Sequence, residues 1–179
     1  KYSLAAIESE AAMPVIKPER AINFVFCRAS VSPARAPVNS TSASSFAPAL
    51  IALGAKVKIA SSEGTREVEA AQFFVAPASN ADREVALKPN EIVTEVVIPA
   101  AVTKNATYEV RQKDALDWPL ATASVALTMK GTAVASAKIV LGHVAPAPYV
   151  SEAAAAVVAG KTITPELAAE AGKAAVAAA

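Results

Sequence analysis

Residues 107–131 read TYEVRQKDALDWPLATASVALTMKG and hold the sequence's only Trp, a dense cluster of charges and its clearest strand pattern. From Thr122 the side chains alternate, with Thr122, Ser124, Ala126 and Thr128 on one side and Ala123, Val125, Leu127 and Met129 on the other. That period of two predicts a half-buried strand. The charged half, with Glu109, Arg111, Lys113, Asp114 and Asp117, comes immediately before it. Such a segment is either a ligand-facing loop leading into a rigid strand or a solvated turn feeding a core strand, the commoner of the two.

Downstream, Gly131-Thr132 makes a turn into a second alternating run. There Ala135, Ala137, Ile139 and Leu141 share one face, and Val134, Ser136, Lys138 and Val140 the other. The two runs are expected to pair as an antiparallel hairpin, ended by Pro146 and Pro148. Ser151 then caps an alanine-rich helix that stops at Gly160, and Thr164-Pro165 opens a last helix with proline at the favoured first position.

Upstream, the Ser/Thr run at 40–45 offers N-caps for a helix carrying Phe46, Leu50 and Leu53, and Gly54 supplies its stop. Residues 56–60 alternate as a strand, 61–64 turn, and TREVEAAQFF returns as a second strand with a short helical end. After a loop over 75–91, EIVTEVVIP predicts a strand with Ile92, Thr94, Val96 and Ile98 on one face and Glu91, Val93, Glu95 and Val97 on the other. Residues 100–106 are small and weakly patterned, as a boundary is. Residues 1–39, broken by Pro14, Pro18, Pro33 and Pro37, offer only a short buried strand at 21–27 and read as an unassigned arm or incomplete segment.

Composition removes several classes. Of the 179 residues, 17 are basic and 16 acidic, a net charge of +1 with no block of like charge, so neither nucleic acid nor a polybasic membrane contact has an electrostatic footprint. No apolar run approaches the ~20 residues of a membrane helix. Glu8 and Glu10 interrupt the place where a signal peptide would be apolar, and the expected location is cytoplasmic. Hydrophobic residues make up 54% and aromatics only 5%, much of the former being alanine, so the core should be shallow and close-packed.

The chemistry-bearing residues are few. One Cys, Cys27, allows no internal disulfide and no all-cysteine iron–sulfur cluster, and with one His no metal site is expected. His143, in LGHVAP, has no acid beside it in sequence and reads as a strand-end residue rather than a general base. No GxGxxG or GxxxxGK[ST] phosphate loop occurs.

Four phrases in order do resemble a known family: SSFAPALIALGAKVKIAS (44–61), LKPNEIVTEVVIP (87–99), YEVRQKDALDWPLATASVALTMKG (108–131) and AKIVLGHVAPAPYVSEAAAAVVAGK (137–161). Over 44–179 the chain is similar to the C-terminal portion of the FAD-binding medium subunit of the xanthine dehydrogenase and carbon monoxide dehydrogenase type of molybdenum hydroxylase.

The resemblance implies an α+β chain in two units. The end of a flavin-binding α+β domain would occupy 40–101, and a C-terminal domain with an antiparallel sheet backed by helices 103–179. It implies FAD, with electrons arriving from an iron–sulfur small subunit fed by a molybdenum-binding large subunit, so that molybdopterin and [2Fe–2S] clusters sit on partners. The family's main flavin loops, of the kinds AGG and TIGGN, do not occur in this sequence, and a truncated scaffold that binds no FAD by itself is the alternative. An unrelated alanine-rich binding module is a further reading of the same composition.

The candidate cofactor-binding residues implied by the resemblance are Ser45, Val93, Glu109 and Arg111, and none is expected to be catalytic. Ser45 stands where relatives commonly have a flavin-bonding aspartate, and is either a flavin contact or a helix cap. Val93 either packs near the isoalloxazine or is a plain sheet residue. Glu109 occupies the place of a lysine near the flavin edge. Arg111, two residues on, either supplies the missing cation or forms a salt bridge with Glu109 or Asp114. A further cluster that some relatives hold in this subunit is absent with Cys27 alone.

Overall fold

The computed structural model describes residues 44–79, 82–100, 104–112 and 118–179. The expected strand at 21–27, Cys27, Lys113, Asp114 and Asp117 lie outside them.

The first described element is a helix, α1 (Ala47–Ala52), with Pro48 in its first turn and Gly54 at φ +69° just past its end. Proline is preset for a helix start and glycine takes the left-handed turn without strain. Six residues cannot hold a helix alone in water. Burial does it instead: Leu50 and Ile51 are nearly inaccessible, each contributing about 1.5–3 kcal/mol over exposure.

A hairpin follows, β1 (Lys56–Ser61) and β2 (Gly64–Glu69), closed by Ser61 opposite Gly64 and running into a single turn, α2 (Ala70–Phe73). The third strand, β3 (Ile92–Val97), pairs antiparallel with the other edge of β1, giving the order β2-β1-β3. Its expected faces are corrected by a bulge. Lys58 pairs with Glu95 and Ile59 with Val93, leaving Thr94 as the extra residue, its hydroxyl donating to the Lys58 carbonyl at 3.2 Å. The side-chain phase shifts by one there. Val93 and Val96 both reach apolar clusters, while Ile92, expected to share a face with Val96, stands 64% exposed.

A staple closes the loop before β3. Arg66 donates through Nε and Nη2 to the two carboxylate oxygens of Glu91 at 2.8 and 2.7 Å, and Nη2 also to the Ala86 carbonyl at 2.6 Å. The Lys88 amide adds a bond to Glu91 at 2.8 Å. Bidentate geometry of this kind fixes direction as well as distance.

The second sheet is β4 (Lys104–Val110), β5 (Ala121–Lys130), β6 (Ala133–Gly142) and the short β7 (Tyr149–Val150), antiparallel throughout in the order β4-β5-β6-β7. The hairpin at Gly131 is as expected, with Lys130 opposite Ala133 and Gly131 at φ +63°. β4 is not: residues expected to be boundary and charged loop form a full edge strand. A second bulge sits where Thr128 pairs with Ser136 and Met129 with Val134, so Ala135 is extra and Val134 turns to the face of Ile139. Sequence alternation had placed Val134 on the other face.

Two helices complete the chain, α3 (Glu152–Val158), capped by the Ser151 hydroxyl, and α4 (Pro165–Ala177), capped by that of Thr164, each as expected. They pack on the face of the second sheet that carries Val125, Val134 and Ile139. The opposite face, with Ala126 and Val140, meets α1. Over 122–126 β5 is therefore buried on both sides, Thr122 and Ser124 being as inaccessible as Val125, while Thr128 and Lys130 are exposed and that end is half-buried as expected. The same α1 cluster takes in Ala70 and Val96, so this helix serves both sheets. The architecture is α+β.

Candidate functional site

The polar face of the second sheet comes to its end under the start of α1. Glu109 lies opposite Thr122, and Thr122 opposite Gly142, in one row across β4, β5 and β6. In the next row Thr107 and Ser124 bond hydroxyl to hydroxyl at 2.9 Å. These groups are buried by α1, which approaches so closely that a Cβ placed on Gly142 would sit 2.6 Å from Cγ of Pro48. Glycine is required here for space.

That docking brings Ser45 over the sheet. Ser44, the residue before, accepts from the Ala47 amide at 3.2 Å, although the N-cap residue itself is Phe46, and the Ser45 hydroxyl is a donor to the Glu109 carboxylate. Arg111, two residues along, donates Nε to Glu109 Oε2 at 2.9 Å and also turns Nη2 onto the same oxygen. Burial pushes the Glu109 carboxyl up, but the bonds from Ser45 and Arg111, with the charges of Arg111 and His143, more than offset it, and the group is held below the usual carboxylate value. The result is an ionised carboxylate, 17% exposed, with a half-exposed guanidinium beside it.

The fourth member follows Gly142 directly. His143 adopts φ +66°, and its Nδ1 lies 3.2 Å from the Thr122 hydroxyl while Nε2 is buried without a protein partner. Nothing near it in sequence is acidic, and across the sheet its partner Thr122 lies opposite Glu109. Only the row Glu109–Thr122–Gly142 could have disclosed this, and β4 was not legible as a strand.

Three of the four expected residues, Ser45, Glu109 and Arg111, are thus brought together. Val93 is not among their partners: it lies opposite Ile59 in the first sheet and packs into the apolar clusters there. A separate surface concavity of about 360 Å³ lies over Lys58, Thr65, Arg66, Glu67 and Thr94, and contains none of the four. Among the described residues no three His, Cys, Asp or Glu converge as metal ligands. No helix of the described residues is long and apolar enough to cross a membrane.

Comparison with known proteins gives two successive family matches. Residues 30–101 match the FAD binding domain in molybdopterin dehydrogenase, a match that begins inside the arm left unassigned by sequence reading. Residues 106–179 match the CO dehydrogenase flavoprotein C-terminal domain. The glyceraldehyde dehydrogenase medium chain of Sulfolobus acidocaldarius is 28% identical over 111 residues, 62% of this chain and 38% of that one. Among solved structures, carbon monoxide dehydrogenase from Hydrogenophaga pseudoflava, in a form lacking the Mo-pyranopterin moiety, matches with a TM-score of 0.67 and 29% identity over 78% of this chain and 47% of that one. Quinoline 2-oxidoreductase from Pseudomonas putida 86 matches with a TM-score of 0.65 and 27% identity over 77% of this chain and 46% of that one. The chain spans less than half the length of these relatives.

Proposed function

We propose, from the premise that the chain belongs to the family of FAD-binding medium subunits of molybdenum hydroxylases, that it supplies the outer polar contacts of the flavin in an electron-transfer subunit. FAD, when bound, would take electrons from iron–sulfur centres and pass them to an acceptor, while the protein fixes its orientation and potential. The partners would be the iron–sulfur small subunit and the molybdenum-binding large subunit, with [2Fe–2S] and molybdopterin there, in the cytoplasm. Residues 40–101 would close the flavin-binding domain and 103–179 form the C-terminal domain.

The observation that carries this reading is the meeting of Ser45, Glu109 and Arg111, three residues whose positions the resemblance assigns to the flavin. Ser45 and Arg111 are hydrogen-bond donors of the kind that carbonyl oxygens of the isoalloxazine need. Glu109 holds both and neutralises Arg111, so the residues present fit a polar edge contact and bring no net charge to it. They include no phosphate cradle.

A second reading is favoured by that same neutrality: a scaffold and partner surface that takes up no FAD by itself, since both donors are already committed to Glu109 and the AGG and TIGGN loops are not in this sequence. The absorbance spectrum of the purified chain with and without added FAD separates the two. Stoichiometric uptake, strengthened in Glu109→Lys, supports flavin binding. A colourless chain that never takes up FAD, in either form, overturns it.

A further inference from the structure

We infer that the hydroxyl pair Thr107–Ser124 is the positioning device of the candidate site, a cross-strand lock that holds β4 in the register that sets Glu109 opposite Thr122. The inference deepens the proposed function and rests on it only where flavin is used as the probe.

β4 lacks the grip that fixes the other strands of its sheet. It is the outer strand of the order β4-β5-β6-β7, so among the described strands its backbone pairs with β5 alone. None of its residues enters an apolar cluster, whereas β5, β6 and β7 all supply residues to them. Its aromatic side chain, Tyr108, stands 54% exposed. A strand without a buried apolar set has a weakly specified register.

A slip by two residues would leave every side chain of β4 on its own face, yet carry Glu109 along the sheet by about 7 Å. In one direction Glu109 would come opposite Ser124, in the other opposite Leu120, and in both the row Glu109–Thr122–Gly142 is lost. Either slip breaks the bond between Thr107 and Ser124, whose hydroxyl oxygens lie 2.9 Å apart. Ser124 is 1% exposed, so water cannot take the place of its partner. Thr107 and Glu109 are two apart on an extended strand and share its face toward α1, so a lock at one fixes the place of the other. Arg111 in turn reaches Glu109 through Nε at 2.9 Å. Stability alone does not ask for hydroxyls here, because an apolar pair of similar shape is nearly neutral by comparison. What the hydroxyls add is direction.

The test uses the full chain as Thr107→Val, Ser124→Ala, the double variant of both, and Thr107→Ser. Each of the first two leaves one hydroxyl unpaired and lowers Tm by roughly 2–12 °C. The double variant leaves neither and melts within roughly 2 °C of the parent. Its β4 amides nevertheless exchange roughly tenfold faster, relative to those of the Gly131 hairpin, and the NMR signal of the Arg111 Nε–H moves to that of a solvated arginine. FAD affinity, read by flavin fluorescence, falls with it by roughly tenfold. Thr107→Ser, which keeps the hydroxyl, keeps the parent's β4 exchange and Arg111 signal. A double variant with parent-like β4 exchange and Arg111 signal, or a Thr107→Ser chain that loses both, makes the pair a packing feature and overturns the inference. If the parent takes up no FAD, the flavin-binding reading fails instead, and the exchange and Arg111 signals still decide the role of the pair.

Discussion

Replacing Gly142 by alanine tests the geometry on which the whole site depends. The new Cβ would lie 2.6 Å from Cγ of Pro48, a rigid, buried ring that cannot rotate away. Ordinary carbon–carbon contact needs a separation about 1 Å larger. Gly142 is not at positive φ, so no backbone strain is added and the whole cost is steric. Overpacking of this size costs about 1–3 kcal/mol, and a chain of this length loses about 2–4 °C of Tm per kcal/mol. The melt followed by circular dichroism should therefore fall by roughly 2–12 °C. Pro48→Ala alone costs about 0.4–1 kcal/mol through the freed unfolded chain and about 0.8 kcal/mol for each buried methylene removed, but in the double mutant it makes room, so the combined loss should fall short of the sum of the two by about 1 kcal/mol or more. A Gly142→Ala chain that melts within about 1 °C of the parent, or losses that simply add, would refute the close approach of α1 to the sheet.

Other substitutions probe the remaining devices. The Arg66 side-chain bond and the Lys88 amide hold the Glu91 carboxyl down to about 2. A depressed carboxyl contributes stability that is present above its unfolded value near 4.5 and lost as pH falls toward 2, so urea midpoints should drop across that window and drop less in Glu91→Gln. An equal slope in both proteins would exclude the staple as the source. Val134, fully buried beside the β6 bulge, should cost about 2 kcal/mol on change to alanine, whereas Ile92→Ser on the solvent side of β3 should stay within about 0.5 kcal/mol, read from chemical denaturation. The reverse ranking would mean that the strands keep the unbroken alternation of the sequence.

What could be read in advance follows from how local each signal is. The hairpin at Gly131, the caps at Ser151 and Thr164 and the stop at Gly54 were legible because turn and cap chemistry acts over two to four residues. The bulges at Thr94 and Ala135 were not, because neither residue differs from its neighbours in kind; pairing with β1 and β5 creates them. β4 was missed because its buried-side residues, Asn105, Thr107 and Glu109, are polar, matched to a sheet face whose own residues are Thr122 and Ser124. The neighbourhood of Ser45 and Glu109 depends on the docking of α1, and no local pattern encodes that. His143, read as a strand-end residue, stands just past the end of β6, as its place in LGHVAP implies.

The sharing of α1 by both sheets has a consequence for dissection. An engineer seeking autonomous modules would cut between β3 and β4, where the strands change from one sheet to the other. The C-terminal piece would then keep α3 and α4 but lose the cover over Ala126, Val140, Thr122 and Ser124, and the N-terminal piece would carry Leu50 and Ile51 with half their packing gone. The two pieces share the six residues of one helix, and a ligand that grips Ser45 at the start of that helix would bear on both at once.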